Sequence, residues 1–394
     1  MEYNVVLVRY GEIILKGNNR AMFERKLVEN IKYALADEDI KIIFSQARVF
    51  VKPVDTNRID AIIKKIIKVF GIVSVSPAVE VETDFEKIKT TAVELIQEKI
   101  NKSTFKVEAR RGDKKFPLTS PEISRELGGY ILSKIPELKV DVNNPDFVLN
   151  VEVRDKSYIY AEKIEAFGGM PIGTNGKGLL LVSGGIDSPV AGFMLARRGV
   201  EIDALHFFSP PYTGPRAKEK VIELCRIVSE YSKKINLYIV NFTEAQLAIR
   251  DNCPHEQMVI IMRRIMMRIA EKVANQKGCH ALITGENIGQ VASQTMQAMV
   301  TTNAVCSIPV FRPLIGMDKN DIINIAKKIN TYETSILPYE DCCTVFVPKH
   351  PETKPRIDKI EMSEQHLDIE KLVEDAINNI EVIEISNGRI IENI

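Results

Sequence analysis

Residues 183–188 read Ser183-Gly184-Gly185-Ile186-Asp187-Ser188. They follow directly on the apolar run Gly178-Leu179-Leu180-Leu181-Val182 and lead directly into Pro189-Val190-Ala191-Gly192-Phe193-Met194-Leu195-Ala196, a stretch compatible with a helix. A strand, a Ser/Gly turn and a helix start in that order aim backbone N–H groups and the positive end of a helix dipole at one point. Such a point suits a pyrophosphate. Glycine serves there because a Cβ would block the approach of backbone to phosphate oxygens, and because the turn can require positive φ. Ser183 and Ser188 add hydroxyl donors. The competing reading is an ordinary βα turn. No Gly-Lys-Ser/Thr follows, so the spacing is not that of a Walker A loop.

Around this loop the pattern alternates βαβα: strand 179–182, helix 189–198, strand 201–207, helix 215–232, strand 235–240, helix 256–276, strand 280–284 and helix 319–329. That alternation implies a doubly wound parallel sheet with its site at the carboxyl ends of the strands. The first half of the chain reads differently. Strand 3–10, helix 18–36 and short strands at 41–44 and 48–51 form a βαββ unit ending near Thr56. A second unit follows, with helix 58–69, strand 72–81, helix 84–100, strand 104–110, helix 121–134 and strands 147–153 and 157–162. Between the halves, residues 164–178 hold five glycines and a proline and read as a linker. The expected division is therefore 1–57, 58–163, a linker at 164–178, and 179–394.

Formal charge sums to zero over 394 residues but is uneven along the chain. Residues 101–120 carry Lys102, Lys106, Arg110, Arg111, Lys114 and Lys115 against Glu108 and Asp113, whereas residues 357–394 carry three basic and ten acidic side chains and read as an acidic tail. A neutral total thus conceals a basic face, and phosphate contacts dominate non-specific affinity for nucleic acid. The six cysteines, at 225, 253, 279, 306, 342 and 343, show no CxxC pair and no Cys/His metal spacing. A disulfide framework and a zinc or iron–sulfur centre are not expected. No apolar stretch approaches the ~20 residues that a membrane span needs, and the start of the chain lacks a signal sequence, so the expected location is cytoplasmic with no membrane partner.

The 183–188 loop resembles the SGGxDS loop of the PP-loop pyrophosphatases, which cleave ATP between its α and β phosphates. Segment 105–131, from Phe105-Lys106-Val107-Glu108-Ala109-Arg110-Arg111 through Phe116-Pro117 to Leu127-Gly128-Gly129-Tyr130-Ile131, resembles a THUMP domain, a module that binds the acceptor end of tRNA. Further stretches run in the same order as in the tRNA 4-thiouridine synthetases, also called tRNA sulfurtransferases. They are Arg9-Tyr10-Gly11-Glu12-Ile13-Ile14-Leu15-Lys16-Gly17, Gly168-Gly169-Met170-Pro171-Ile172-Gly173-Thr174, Thr284-Gly285-Glu286-Asn287-Ile288-Gly289-Gln290-Val291-Ala292-Ser293-Gln294-Thr295 and Arg312-Pro313-Leu314.

The resemblance, over residues 1 to about 355, implies an α/β protein with an N-terminal ferredoxin-like domain, a THUMP domain and a PP-loop domain. It implies ATP-dependent transfer of sulfur to uridine 8 of tRNA through an adenylated O4, with a cysteine persulfide as sulfur source. ATP and Mg2+ are the implied cofactors, and tRNA and a cysteine desulfurase the implied partners. The oligomeric state is left open, a homodimer included. No cysteine follows Cys343 before the chain ends at Ile394. The rhodanese domain of many family members is therefore not expected, and with it the thiamine role that depends on that domain. The alternatives are another PP-loop adenylating enzyme acting on tRNA, or a tRNA-binding module that does not turn over.

Residue roles follow from the same resemblance. Cys343, in Tyr339-Glu340-Asp341-Cys342-Cys343-Thr344-Val345-Phe346, aligns with the catalytic cysteine by its Cys-x-Val-apolar pattern, with Cys342 as the alternative; a thiolate is the nucleophile or persulfide carrier such chemistry needs. The ATP site is expected at Leu181, Val182, Ser183, Gly184, Gly185, Asp187, Ser188, His206, Phe207, Arg263, Arg264, Gly285 and Gln294, with Arg263 favoured over Arg264. Asp187 would also act in catalysis by placing phosphate and Mg2+, since one carboxylate plus phosphate oxygens suits that ion. Lys106, Arg110, Arg111, Lys114 and Lys115 are the expected tRNA contacts.

Overall fold

The structure, a computed structural model, describes residues 2–45, 48–97, 103–339, 346, 348 and 350–393. The chain divides into two compact units, Met1–Gly169 and Met170–Ile394.

In the first unit the elements run β1 (Val5–Tyr10), α1 (Arg20–Ala34), β2 (Ile40–Ser45), β3 (Arg48–Pro53), α2 (Ile59–Ile66), β4 (Ile72–Glu82), α3 (Phe85–Gln97), β5 (Thr104–Arg111), α4 (Ser120–Lys134), β6 (Lys139–Val140), β7 (Phe147–Val153), β8 (Lys156–Tyr160) and β9 (Ile164–Glu165). The strands join in one sheet of order β2-β3-β1-β4-β8-β7-β5-β6, with β9 also pairing β4. Strand β4 is the join. Its first half pairs β1 (Val5↔Ala78 to Tyr10↔Ile72) and its second half pairs β8 (Val79↔Ile159 to Glu82↔Lys156).

Helix α2 buries Ile59, Ile62, Ile63 and Ile66, spaced at i, i+3, i+4 and i+7, on β1 and β4. It thus packs both on β1 of the first βαββ elements and on β4, a strand expected after residue 58. Helices α3 and α4 cover the other half of the sheet through Ile88, Leu95, Ile123, Leu127 and Ile131, each worth about 1.5–3 kcal/mol of apolar burial. A capping box starts α4, the Glu122 carboxylate accepting from Thr119 N and Oγ1 at 2.7 Å each.

The second unit runs β10 (Lys177–Leu181), α5 (Asp187–Ala196), β11 (Glu201–Phe208), α6 (Pro215–Ser232), β12 (Lys234–Asn241), α7 (Thr243–Asn252), α8 (Met258–Gln276), β13 (Ala281–Ile283), α9 (Met296–Asn303), β14 (Val310–Phe311), α10 (Lys319–Lys328), α11 (Tyr332–Ser335), α12 (Ile357–Glu364), α13 (Ile369–Asn378), β15 (Glu381–Ser386) and β16 (Arg389–Asn393). Sheet order is β14-β13-β10-β11-β12-β15-β16. The first five strands are parallel, as the βαβα alternation requires, and β10 at their centre feeds the 183–188 loop. Helix α5 reaches the sheet through Gly192, where a Cβ would stand 2.7 Å from Leu180 Cδ2.

One expectation is refined here and one corrected. The expected linker 164–178 does hold the boundary between the two units, after Gly169, but it is not loose. Its first part is built into the first unit by β9 and by Gly168 N donating to Ile72 O at 2.8 Å. Its second part wraps Gly199 of the second unit, whose carbonyl accepts from Gly173, Thr174 and Asn175 N. Gly199 has φ +86°, and a Cβ there would meet Pro171 O at 2.9 Å, so both conformation and space demand glycine.

The acidic stretch 357–394 is likewise no tail. It supplies α12, α13 and an antiparallel hairpin that extends the sheet at β12. Its carboxylates meet lysines of the underlying elements, Lys218 with Glu381 at 2.5 Å and Lys234 with Glu384 at 2.7 Å. A charge run does not distinguish a solvated tail from the polar face of a packed hairpin. The alternation Ile383-Glu384-Ile385 on β15, with both isoleucines buried, was the signal present.

Candidate functional site

At the carboxyl ends of β10, β11 and β13 a cavity of about 320 Å³ opens in the second unit. Leu181, Val182, Ser183, Asp187, Ser188, His206, Phe207, Arg263, Gly285 and Gln294 all line it, together with Val259, Met266, Met267, Thr284, Glu286, Val291 and Ser293. Gly184 and Gly185 form the turn between Ser183 and α5. The turn is held by its own serines. Ser188 Oγ accepts from Ser183 N at 2.9 Å and donates to Ser183 O at 3.2 Å, and Gly185 N donates to Ser183 Oγ at 3.3 Å.

Gly285 shows why the second loop carries glycine at this position. A Cβ there would lie 2.7 Å from Ser188 N and 2.8 Å from the Asp187 carbonyl carbon, so the 285–295 loop packs backbone against backbone on the start of α5. His206 is buried, and its Nδ1 lies 3.1 Å from Val182 O, which ties the end of β11 to the end of β10. Asp187 receives Lys319 Nζ at 2.7 Å on one oxygen and Gln290 Nε2 at 2.9 Å on the other.

Glu286 anchors the wall of the cavity. Its carboxylate is 5% exposed, and it accepts from Arg263 Nη2, from Arg312 Nε at 2.7 Å and from Thr284 Oγ1 at 2.9 Å. Burial alone would raise its pKa, but the flanking Arg263 and Arg312 guanidiniums and the Thr284 hydroxyl outweigh that and hold it below the usual carboxylate range. Arg263 also donates to Ser293 Oγ at 3.2 Å, so one guanidinium bridges the two ends of the loop carrying Gly285 and Gln294.

Arg264 is corrected: it is 1% exposed and faces away from the cavity. Its Nε and Nη2 donate to Glu364 at 2.8 and 3.0 Å and its Nη1 to Thr301 O at 2.8 Å, while Arg268, one turn on, grips the same carboxylate. Successive helical residues project about 100° apart, and here that turn sends Arg263 to the cavity and Arg264 to Glu364. Glu286, Arg312, Lys319 and Gln290 were not singled out from sequence. Three of them stand in stretches that carry the family resemblance, but their pairing joins segments about 25 to 130 residues apart, which no local pattern encodes. Cys342 and Cys343 lie outside the described residues.

In the first unit a second cavity, of about 540 Å³, is lined by Arg9, Arg48, Lys106, Arg110, Glu152, Tyr160 and Lys163 among others. Glu152 is buried at its base between Arg48 Nε at 3.7 Å and Arg154 Nη2 at 3.0 Å, and it accepts from Tyr160 Oη at 3.2 Å. Arg9 stacks on the Tyr160 ring, 4.9 Å from its centroid. Of the expected basic contacts, Lys106 and Arg110 line this cavity. Lys114 and Lys115 stand exposed on the adjoining turn, and Arg111 folds back to donate to Phe116 O at 3.1 Å. Among the described residues no group of three or more His, Cys, Asp and Glu is arranged to hold a metal ion, and no helix is long and apolar enough to cross a membrane.

A parallel sheet with a Ser/Gly phosphate-type loop at its centre, following a unit with a basic cavity, defines the class of PP-loop proteins joined to an RNA-binding module. Three family models match in chain order: the ThiI ferredoxin-like domain over residues 5–76, the THUMP domain over 82–162, and the thiamine biosynthesis protein ThiI over 173–369. Proteins named probable tRNA sulfurtransferase from Acetivibrio thermocellus and Alkaliphilus metalliredigens are 60% and 55% identical, each over 97% of this chain and 99% and 98% of their own length. A 4-thiouridine synthetase solved as an RNA complex with bound ATP superposes with a TM-score of 0.90 at 43% identity, over 98% of this chain and all of that one. PH1313 of Pyrococcus horikoshii follows at 0.66 and 30%, over 83% of this chain and 99% of its own. The chain belongs to the ThiI family.

Proposed function

We propose that this chain transfers sulfur to uridine 8 of tRNA in an ATP-dependent reaction that gives 4-thiouridine. The observation that carries the reading is the built cavity at β10, β11 and β13. It has an apolar wall of Phe207, Val259, Met266 and Met267 for a base, and a Ser/Gly turn at the start of α5, closed by Gly285, for a pyrophosphate. The 4-thiouridine synthetase that superposes on this chain was solved with ATP and RNA bound.

ATP fits these residues. Ser183, Gly184, Gly185 and Ser188 would hold its phosphates, His206 and Phe207 would lie beside the adenine, and Arg263 with Gln294 would close the far side. Asp187 would face Mg2+ carried with the phosphates, in place of its contact with Lys319.

ATP supplies the AMP that turns the uridine O4 from a poor leaving group into a good one, with pyrophosphate released. A persulfide on Cys343, or on Cys342, then attacks C4 through its terminal sulfur. The C4–O4 bond breaks, AMP leaves, and a second thiol cleaves the remaining S–S link, supplying the electron pair. The chain's own task is orientation: the turn holds phosphate, and the Glu286-fixed arginines keep the pocket's shape. A cysteine desulfurase would deliver the sulfur, and the basic cavity of the first unit would hold tRNA phosphates.

The test is mass spectrometry of tRNA nucleosides from cells lacking the gene, paired with release of pyrophosphate on mixing protein, ATP and tRNA. Loss of 4-thiouridine alone is the expected outcome. Unchanged 4-thiouridine sinks the reading, and pyrophosphate release with loss of a different modified base favours another PP-loop enzyme.

A further inference from the structure

From Asn287 to Phe311 the chain holds no charged residue, although 27% of all its residues are charged. Part of this stretch is apolar and exposed. Ile288 and Val291 are each 51% exposed, and Met296 and Val300, one turn apart on α9, are 66% and 56% exposed. Apolar side chains scattered singly over a surface need no explanation. These stand close together in the chain, and one of them, Val291, also lines the nucleotide-type cavity.

The loop that carries Val291 is firmly built. Gly289 turns the chain at φ +75°, its N–H donates to Gln294 O at 2.9 Å, and Gln294 N donates to Val291 O at 2.9 Å. Side-chain bonds pin the loop to its surroundings: Asn287 Nδ2 donates to Met317 O at 2.6 Å, Arg263 Nη1 to Ser293 Oγ at 3.2 Å, and Gln290 Nε2 to Asp187 Oδ2 at 2.9 Å. The last of these sets the loop tip at the start of α5, beside the phosphate end of the cavity. Polar bonds thus fix the loop, while Val291, a side chain stiff at χ1, stays half in solvent.

We propose that Val291 receives the target uracil. It packs on the face of the base once that base has left its stack in the tRNA, and so holds O4 toward the α-phosphate. The inference rests on the function proposed above. A base stacked inside a folded RNA cannot reach a recessed phosphate, so an enzyme that acts on it takes it out of the stack and offers apolar surface in exchange. The cavity, at about 320 Å³, is at the lower end of small-molecule pockets. ATP fills it, and the uracil is left at the mouth, where Val291 stands. An uncharged stretch suits a base rather than the RNA backbone, whose phosphates call for Lys and Arg. A protein seated on Val291 would shut the uridine out of the cavity.

The test uses full-length protein and a tRNA with 2-aminopurine at position 9, which brightens when its neighbour at position 8 leaves the stack. Binding is read with α,β-methylene ATP, which is not cleaved at the bond in question. Wild type and Val291→Ile are expected to brighten the probe, and Val291→Ala to lose the brightening. In single turnover at saturating tRNA, Val291→Ala is expected to slow pyrophosphate release and 4-thiouridine formation together about tenfold, the scale of two methyl groups removed from apolar contact. KM for ATP and the melting temperature should stay at the wild-type values. A tRNA with an abasic nucleotide opposite uridine 8, whose uracil is unstacked from the start, should return most of the lost rate.

A wild type that does not brighten the probe, or full brightening by Val291→Ala, overturns the inference. So does a raised KM for ATP, which makes Val291 a wall of the nucleotide pocket, and so does a loss equal on both tRNAs, which makes its role structural. Sulfide and desulfurase donors are run in parallel: a loss with desulfurase alone makes the face a protein dock and likewise overturns it. If the abasic tRNA is no substrate for the wild type, the fluorescence decides alone. Absence of tRNA-dependent pyrophosphate release in the wild type overturns the proposed function itself, and the inference with it.

Discussion

Each unit builds a cavity over a buried glutamate held between two arginines, and the two cavities differ in everything else. Glu286 sits with Arg263 and Arg312 behind a largely apolar, concave wall. Glu152 sits with Arg48 and Arg154 beneath a more polar lining that adds Arg9, Lys106, Arg110 and Lys163. In both, burial opposes ionisation and the guanidiniums overcome it, so both carboxyls lie below the ordinary range. The same device serves two purposes. In a cavity with little surplus charge the glutamate fixes geometry, because it locks the side chain that closes the pocket. Under a surplus of cations it fixes where a positive field stands, while the field itself comes from side chains it does not touch.

The largest expected effect tests that difference. Glu286→Ala strands two guanidiniums, and removing one partner of a buried pair costs about 3 kcal/mol of stability in urea unfolding. Misplacing Arg263 should slow tRNA-dependent pyrophosphate release about 100-fold. Glu152→Gln should leave that rate intact at saturating tRNA and, by removing a negative charge, make tRNA binding more salt-dependent. If both variants lose catalysis alike, the two glutamates are not separated in function.

A smaller effect sharpens the reading of the basic cavity. Neutralising Arg110, Lys114 or Lys115 should flatten the slope of log affinity against log salt by about one unit per lost phosphate contact. Arg111 is expected to change it less, since its guanidinium is engaged with Phe116 O. A slope unmoved by the Arg110, Lys114 and Lys115 changes places the tRNA elsewhere.

The smallest effect is a pH dependence shared by both sites. A carboxyl whose pKa is depressed on folding contributes stability that is complete above the unfolded value, about 4.3, and is lost as pH falls through the folded value. The stability gap between wild type and Glu286→Gln or Glu152→Gln should therefore be constant near neutrality and narrow only below about pH 4.3. A gap that narrows between about pH 8 and 6 would point to a different titrating group.

Much of this molecule is local in origin and could be read from the chain. The 183–188 turn, the βαβα alternation and the i, i+3, i+4 isoleucines of α2 are patterns within one or two elements, and they fold as their spacing requires. The cavity residues from Leu181 to Ser188, with His206 and Phe207, were legible for the same reason: they stand at strand ends, and strand ends in a parallel sheet converge. Arg263 was favoured over Arg264 through the family resemblance and not from local pattern, because two adjacent arginines differ only in which way the helix turns them, and that is decided by what Met266, Met267 and Ile261 pack against.

The stretch 357–394 was misread for the complementary reason. Its ten acidic residues are a composition, whereas its role as two helices and an added hairpin depends on Lys218, Lys234 and the free side of β12 being there to receive it. What the amino-acid order determined by itself was the βαβα alternation and the phosphate-type turn, since these need only neighbours within a few residues. Only the tertiary structure decided that Glu286 draws Arg263 and Arg312 together, that Gly285 closes on Ser188, and that Thr295 donates to Thr353 O. A buried charge or a backbone contact takes its partner from whatever the packed core brings within about 3 Å, and sequence separation does not enter that distance.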